Sequence, residues 1–221
     1  MIATRLARVP PFERGLTLGD FLVPIRLGER AATWQRNLLM IGVAVVLISL
    51  SAQVYIVLPD TPVAITGQTF GVLFTAALLG LRRSLVSVAL YLLIGFVGLP
   101  VFAEGTSGLA RVASFEAGLL SLAPTGGYLL GFLIAGGLVG RLAELGWDRR
   151  IGGSLAAMLI GNVVIYLIGV PWLMLAAGVG LGRGLELGLW PFVVGDALKL
   201  AVAAGLLPVG WWLVRRRSTD L

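Results

Sequence analysis

Two residue types with versatile side-chain chemistry are missing from this chain. The sequence of 221 residues contains neither cysteine nor histidine. Their absence excludes disulfide bonds, thiol nucleophiles and cysteine-ligated metals, together with serine–histidine hydrolases, His-Glu-x-x-His zinc sites and histidine proton relays. We therefore predict no catalytic residue, no metal site and no cofactor, and the chain is not expected to be an enzyme.

Lysine is almost absent as well. It occurs once, as Lys199, and the next residue is Leu200. A Walker A loop needs a Gly-Lys-Ser/Thr sequence, which this chain cannot supply. ATP hydrolysis of that kind would have to come from another protein.

Charge of either sign is scarce, whereas apolar residues are abundant. Charged residues make up 13% of the chain and hydrophobic residues 58%, against about 25% charge in soluble domains. This composition predicts an all-α integral membrane protein with six transmembrane helices, at residues 38–58, 67–81, 84–103, 118–140, 151–177 and 190–213. A bilayer core of ~30 Å needs ~20 helical residues. The second span is therefore short, and we expect it to be kinked, broken or partly buried by other helices.

The distribution of arginine predicts the orientation in the membrane. With the N-terminus inside, 14 arginines fall in cytoplasmic segments and only Arg111 and Arg183 fall outside, as the positive-inside rule requires. Both termini are thus expected in the cytoplasm. The net positive charge of the chain then reflects its membrane topology rather than binding to nucleic acid. We divide the chain into a cytoplasmic or interfacial arm (1–37), a transmembrane substrate-binding domain (38–214) and a basic cytoplasmic tail (215–221).

The last span carries the most informative pair of residues. Asp196 and Lys199 interrupt the apolar run Trp190–Pro208 and share one face of a helix. A charge at the centre of a membrane helix costs ~2.5–3.5 kcal/mol on insertion scales, so such charges are by default interior and functional. The alternative is an ion pair that only joins the last helix to its neighbours.

Polar side chains in the other spans fall at similar depths. At ~1.5 Å per residue, Asp196 and Lys199 lie about 9 Å and 14 Å from the outer end of the last helix. The other polar residues expected to approach the outer half of the membrane are Gln68, Tyr91, Tyr128 and Asn162. Such a convergence suits the capture of a solute from outside.

Five strings, in a fixed order, resemble the BioY family, the biotin-binding S components of energy-coupling-factor (ECF) vitamin transporters. They are PVAITGQTFGVL at 62–73, YLLIGFVGLPVFA at 91–103, PTGGYLLGF at 124–132, GVPWL at 169–173 and GDALK at 195–199. The chain departs from the family pattern at Ala64, where a second proline is usual, and at Ala123, where glycine is usual. The segment Arg111–Leu122 is also longer than usual, which predicts a different shape for the outer lid.

The resemblance implies biotin uptake by a multi-pass S component in the cytoplasmic membrane of a prokaryote, working in the lipid bilayer with a T component and two ATPase subunits. Lys199 is then expected to neutralise the biotin carboxylate, with Asp196 accepting ureido N–H bonds or holding Lys199; the two roles are exchangeable at this stage. Gln68 and Asn162 can each donate and accept hydrogen bonds, as a ureido group requires. The remaining candidate contacts are an apolar wall of Tyr91, Tyr128 and Trp172, and the helix start at Thr125.

Other interpretations remain open from the sequence. The protein could transport biotin without an ECF module, or serve as the S component for another carboxylated vitamin. Tyr91, Tyr128 and Trp172 are equally compatible with helix packing, and Asn162 with an interhelical hydrogen bond. Close helix packing is the role expected for a set of glycines in the fourth and fifth spans, Gly131, Gly136, Gly137, Gly140, Gly152, Gly153 and Gly161.

Overall fold

The computed structural model describes residues 15–22, 30–116 and 119–219. Within them the chain is mostly helical. The helices are α1 Gly19–Leu22, α2 Arg30–Ala52, α3 Gln68–Leu79, α4 Leu81–Val97, α5 Gly126–Glu144, α6 Ile151–Ala177, α7 Leu181–Gly188 and α8 Trp190–Thr219. Short 3-10 turns lie at Ala103–Gly105, Leu109–Arg111 and Trp147–Arg149.

Four of the described helices are long and apolar enough to cross a membrane. Their qualifying segments are Thr33–Ala52, Gly126–Glu144, Ile151–Ala177 and Trp190–Arg216. The predicted span 151–177 coincides with α6. The second predicted span corresponds to a short apolar helix, since α3 has 12 residues and ends at Leu79. Gly80, with a φ of 81°, then turns the chain directly into α4.

Close contacts between helices depend on glycines, as the sequence predicted. A Cβ at Gly140 of α5 would lie 2.6 Å from the carbonyl carbon of Gly80, and one at Gly131 would lie 3.1 Å from Cα of Ile165. A Cβ at Gly161 would lie 2.6 Å from Cδ2 of Leu73. Gly152 differs, since nothing lies within 4 Å of the position a Cβ would take. The small residues therefore let α5 pack at the centre of the bundle, against α3, α4 and α6.

The prediction of an all-α fold is wrong in detail, because two short antiparallel sheets are present. Strand β1 (Tyr55–Ile56) pairs with β2 (Ile65–Thr66), and β3 (Ala113–Glu116) pairs with β4 (Leu119–Leu122). The predicted span 38–58 included β1, and the predicted span 118–140 included β4. Apolar composition alone cannot separate a short strand from a helix end, which explains the error.

Other helix ends also differ from the predicted spans. Helix α4 ends at Val97 rather than at residue 103, because Gly98 adopts a φ of 119° and Pro100 follows. Helix α8 continues past residue 213 to Thr219. Helix α7 was not predicted. The predicted boundary at residue 37 falls inside α2, residues 1–14 and 23–29 of the predicted arm lie outside the described residues, and the domain division stays a prediction.

The two ends of the bundle are built differently. One end, which we call the pocket end, carries both sheets, α7 and the described residues between helices at 53–67, 98–116, 119–125 and 178–189. The other end, which we call the arginine end, contains residues 15–22, the α3–α4 turn, the α5–α6 connection and the last turns of α8. Among the described residues it holds Arg36, Arg82, Arg83, Arg141, Arg149, Arg150, Arg215 and Arg216.

The segment 15–22 packs on the arginine end. Asp20 accepts hydrogen bonds from the backbone and hydroxyl of Thr17 at 3.0 and 3.1 Å, and forms ion pairs with Arg36 at 3.2 Å and Arg83 at 2.8 Å. Burial alone would raise the pKa of Asp20, but the hydrogen bonds and charge of Arg83 together with those from Thr17 hold it below the usual value. The carboxylate therefore links three separate parts of the chain.

A second carboxylate lies deeper at the same end. Asp148 is 1% exposed, and its Oδ2 accepts a hydrogen bond of 2.6 Å from Nε1 of Trp211. Burial raises the pKa of Asp148 to about 6, against the opposing effects of the Trp211 hydrogen bond and the Arg149 charge. Unlike Asp20, this group is more easily protonated in the folded chain.

Candidate substrate-binding site

An ion pair inside the bundle forms the base of the candidate site. Asp196 and Lys199 lie one turn apart on α8, and Nζ of Lys199 donates to Oδ1 of Asp196 at 2.8 Å. Their side chains are 5% and 19% exposed. The prediction that the two residues share one helix face is confirmed, and each neutralises the charge of the other within the apolar interior.

Two neighbouring helices complete this cluster. From α3, Thr69 accepts a hydrogen bond from Nζ of Lys199 at 3.1 Å and donates one to Oδ1 of Asp196 at 3.3 Å. From α6, the hydroxyl of Tyr166 donates to Oδ2 of Asp196. Sequence reasoning missed both residues, although Thr69 directly follows Gln68 and Tyr166 lies one helical turn beyond Asn162. Three helices therefore fix the orientation of the ion pair.

A pocket lies between this cluster and the loops of the pocket end. It offers about 70 Å³ of space to the centre of a water molecule, enough for several waters or a small solute because one water needs ~10–15 Å³ on this measure. The predicted site residues that line it are Gln68, Thr125, Tyr128, Asp196 and Lys199. Its apolar wall includes Val63, Phe102, Leu129, Phe132, Ile165 and Phe192. The pocket thus combines a mostly apolar wall with a few polar groups, as small-ligand sites generally do.

Tyr91 lies behind the pocket rather than in its lining. It is 0% exposed, and its hydroxyl accepts a 2.6 Å hydrogen bond from Nε2 of Gln68 while donating to the carbonyl of Val101 at 3.2 Å. The hydroxyl of Thr66 donates to Oε1 of Gln68 at 3.0 Å. One N–H of the Gln68 amide remains to be used, because that nitrogen carries two hydrogens. Tyr91 therefore positions Gln68.

Tyr128 and Thr125 connect the pocket to the surrounding backbone. The Tyr128 hydroxyl donates to the carbonyl of Gly188 at 2.7 Å, which ties α5 to the end of α7. Its ring packs against those of Tyr166 and Phe192, with centroids 6.3 and 6.4 Å away. Thr125 precedes α5 and donates its hydroxyl hydrogen to the carbonyl of Arg111 at 2.8 Å. Both side chains thus present carbon atoms and a hydroxyl oxygen to the pocket while holding loops in place.

The other two predicted site residues do not line this pocket. Trp172 donates from Nε1 to the carbonyl of Ala123 at 2.9 Å, and its ring packs over Gly126 and Gly127. Asn162 is 6% exposed and lines a smaller cavity next to the main pocket, which it shares with Lys199. Trp172 thus has a packing role at the start of α5, while Asn162 stands beside the ion pair rather than in the main pocket.

Two charged loop residues reach the pocket without having been predicted as site residues. Arg111 and Glu104 both line it from the loop after α4. Glu104 has a φ of 61°, which is uncommon for a residue with a side chain. The sequence analysis used Arg111 only as evidence for orientation. The signal available in the sequence was its place at the start of Arg111–Leu122, the segment predicted to be longer than the family pattern.

The geometry of the candidate site favours binding of a ligand over catalysis of a reaction. Asp196 already accepts hydrogen bonds from three side chains, and within the described residues no group of three or more acidic residues could hold a metal ion. Lys199 has three N–H donors, of which Thr69 and Asp196 use two. The site can therefore offer hydrogen-bond donors to a small, partly apolar ligand.

Comparison with known proteins identifies the family. The sequence profile of the BioY family matches residues 27–216. The chain belongs to the BioY family. Among its relatives, the biotin transporter BioY of Rhizobium etli is 34% identical over 185 residues, covering 79% of this chain and 94% of the relative. The BioY of Thermotoga maritima, also named a biotin transporter, is 36% identical over 169 residues, with coverage of 76% and 92%.

A solved structure supports the same fold for this BioY protein. The crystal structure of an S component for biotin from an ECF-type ABC transporter matches with a TM-score of 0.70 and 24% identity, over 82% of this chain and 93% of that chain. The protein is thus a multi-pass membrane protein with an S-component-like fold. The predicted family resemblance is confirmed. BioY proteins are transporters, so the protein is not an enzyme.

Proposed function

We propose that this BioY chain is the biotin-binding S component of an ECF-type transporter and captures biotin in the pocket above Asp196 and Lys199. The observation that carries the proposal is a preorganised ion pair at the base of an aromatic pocket, in a chain whose relatives are named biotin transporters. Biotin has a carboxylate, a ureido group and an apolar thioether ring. Each of these has a complementary group in the lining.

The hydrogen-bond inventory supports a division of roles. We assign Lys199 and Arg111 to the carboxylate, because both are cationic and Lys199 keeps one N–H after bonding Thr69 and Asp196. Gln68 has one amide N–H left for the ureido carbonyl. Asp196 is then a positioning residue for Lys199. Its three acceptor bonds argue against its being the main partner of the ureido N–H groups.

The remaining predicted contacts take supporting roles in this proposal. Tyr91 orients Gln68, and Trp172 holds the start of α5 by its bond to the Ala123 carbonyl. Asn162 acts beside Lys199, from the adjoining cavity. Tyr128 and Thr125 contribute to the wall and to the loop geometry. The apolar ring of biotin is expected against Phe132 and Phe192, which line the same pocket.

The proposed topology has six membrane crossings with both termini in the cytoplasm. Helices α2, α3, α4, α5, α6 and α8 supply the crossings, with α3 and α4 shorter than the rest. The concentration of arginines at the end opposite the pocket supports this orientation under the positive-inside rule. The pocket would then face the outside of a prokaryotic cell, where biotin is captured.

The partners follow from the same proposal. The sequence contains no Walker A motif, so energy for transport would come from two ATPase subunits acting through a T component. Transport of biotin by the chain alone is the alternative. Uptake of labelled biotin by cells that make this chain with and without an ECF module distinguishes the two. Uptake that is equal in both strains would contradict the assignment as an ECF-dependent subunit.

Equilibrium binding of radiolabelled biotin to the purified chain tests the function itself. We expect saturable binding that unlabelled biotin displaces and that riboflavin and thiamine do not. Displacement by another carboxylated vitamin at lower concentration would reassign the substrate. A correctly folded sample that binds no biotin would overturn the proposal.

A further inference from the structure

The antiparallel hairpin formed by β3 and β4, which we call the pocket-end hairpin, has an unusual distribution of side chains. Phe115 and Leu120 are cross-strand partners and are 80% and 60% exposed. Ser114 and Ser121 form the neighbouring pair, whose side chains point to the opposite face because strand residues alternate. The face that carries Phe115 and Leu120 also carries Ala113 and Leu122 and is apolar throughout, whereas the opposite face combines the two serines with Leu119, which is 74% exposed.

The base of the hairpin is fixed to the helices. The amide of Ala123 donates to the carbonyl of Val112 at 2.9 Å, and Nε1 of Trp172 donates to the carbonyl of Ala123 at the same distance. None of the hairpin residues that the structure describes lines the pocket, whereas the flanking Arg111 and Thr125 do. Phe115 and Leu120 are thus not part of the pocket wall, which argues against a role as its lid.

The bond to Trp172 sets the depth of the hairpin in the membrane. Helix α6 has 27 residues and is about 40 Å long, which matches the ~40–45 Å of a bilayer with its headgroups. Trp172 lies five residues before the end of α6 at Ala177, or about 7.5 Å below it. Each headgroup layer is about 5–8 Å thick. Ala123 therefore lies near the boundary between headgroups and hydrocarbon.

The short distance along the strand limits how far Leu120 can lie from that boundary. It is three residues from Ala123, so at ~3.3 Å per residue it lies at most about 10 Å away. Even a strand parallel to the membrane normal would raise Leu120 only ~3 Å above the end of α6. Leu175, one turn beyond Trp172 on the same face of α6, is 74% exposed and belongs to the lipid-facing surface. Strand β4 packs against α6, which places the hairpin beside that surface.

We propose that the pocket-end hairpin is a membrane-interface anchor whose Phe115 and Leu120 side chains insert among the lipids of the adjoining leaflet. The polar pair Ser114 and Ser121 then faces the headgroups and water. Because Arg111 and Thr125 flank the hairpin and line the pocket, lipid contact holds this wall of the binding site in place.

The absence of cysteine allows a direct test. Single-cysteine variants Leu120→Cys and Ser121→Cys are labelled with an environment-sensitive fluorophore and reconstituted as single copies in lipid nanodiscs. Leu167→Cys, whose native side chain is 67% exposed on α6, serves as the lipid-facing reference. All three native side chains are exposed, so these substitutions should leave the fold intact.

We expect lipids brominated near the top of their acyl chains to quench the label at Leu120 severalfold more strongly than the label at Ser121. Aqueous iodide should show the reverse order. Equal quenching of the two sites by iodide would place the hairpin in water and overturn the proposal. A Leu120 label protected from both quenchers would mean that protein covers the face, which would overturn it as well.

Discussion

The two ends of the bundle use their buried charges in opposite ways. At the arginine end, Asp20 accepts four hydrogen bonds or ion pairs from groups that belong to three parts of the chain. Near the pocket end, Lys199 is paired with Asp196 and Thr69 but keeps one donor for a further partner. A charged group whose hydrogen-bonding capacity is fully used within the protein stabilises the fold. A charged group that keeps an unused donor can bind a ligand.

The largest effect is expected from Lys199→Ala. Losing the cation that pairs with the ligand carboxylate costs about 2–5 kcal/mol of binding free energy, so the affinity for biotin should fall by roughly 100-fold. The uncompensated Asp196 should also lower the folding stability, by about 3–5 kcal/mol. Equilibrium binding of labelled biotin measures the loss. Unchanged binding would exclude Lys199 from the site.

The double variant Asp196→Asn/Lys199→Ala is the control for folding. It removes both charges, so it should elute and melt more like the native chain than Lys199→Ala does. Its biotin affinity should nevertheless stay low. Recovery of binding in the double variant would show that the single variant failed through instability alone.

A second prediction concerns the pH dependence of stability at the arginine end. The pKa of Asp148 is raised from 3.8 to about 6, so the folded chain binds this proton more tightly than the unfolded chain does. Protonated Asp148 therefore stabilises the folded chain fully below pH 3.8. This stabilisation, which is about 3 kcal/mol at most, is lost as the pH rises through 6. Asp148→Asn keeps an acceptor for Trp211 and should raise the melting temperature at neutral pH.

Thermal unfolding in detergent across this pH range measures the effect. Asp20→Asn is the contrasting variant, because the lowered pKa of Asp20 supplies stability above 3.8 that is lost on acidification. Asp20→Asn should therefore be less stable than the native chain at neutral pH. The same shift in both variants would contradict the distinction between the two carboxylates.

A smaller effect is expected where glycine allows close packing at the pocket end. A Cβ at Gly127 would lie 2.2 Å from Cβ of Trp172 and 2.9 Å from the carbonyl oxygen of Ile168. Gly127→Ala should lower stability by about 1–3 kcal/mol. Gly152→Ala is the matched control at the arginine end, where the space is open, and it should raise stability by up to ~1 kcal/mol. Equal melting temperatures in the two variants would contradict this packing.

The smallest effect is expected from Arg215→Ala. Arg215 is exposed near the end of α8, far along that helix from Lys199. Its substitution should change binding free energy by less than ~0.5 kcal/mol. A large loss of biotin affinity in the binding assay would show that the basic tail does more than set topology.

The sequence predicted the features that follow from composition and from spacing within a single helix. The shared face of Asp196 and Lys199 is a consequence of their three-residue spacing, and the bounds of α6 follow from its uninterrupted apolar run. The close packing of Gly131 and Gly140 follows from their size. These features need no knowledge of tertiary structure.

Features that depend on tertiary contacts were not predictable in the same way. Whether Tyr91 or Tyr166 lines the pocket depends on rotations of helices that have similar compositions. Tyr91 lies behind the pocket and accepts a hydrogen bond from Gln68, whereas Tyr166 lines the pocket and donates one to Asp196. Strand β4 was included in the predicted span 118–140, because apolar runs of that length fit either structure. Arg111 was used only as evidence for membrane orientation, because whether it reaches the pocket depends on the conformation of the loop that carries it.

The contacts of residues 15–22 have a consequence for how this protein should be trimmed. Leu18 covers Gly210, the amide of Gly15 bonds to the carbonyl of Glu144, and Phe21 packs edge-on against Trp211. The family match begins only at residue 27. A fragment cut to that match would keep every pocket residue but uncover part of its hydrophobic interior. We expect such a fragment to bind its ligand yet to inactivate at a lower temperature, so a boundary chosen by homology would be a poor choice for crystallisation.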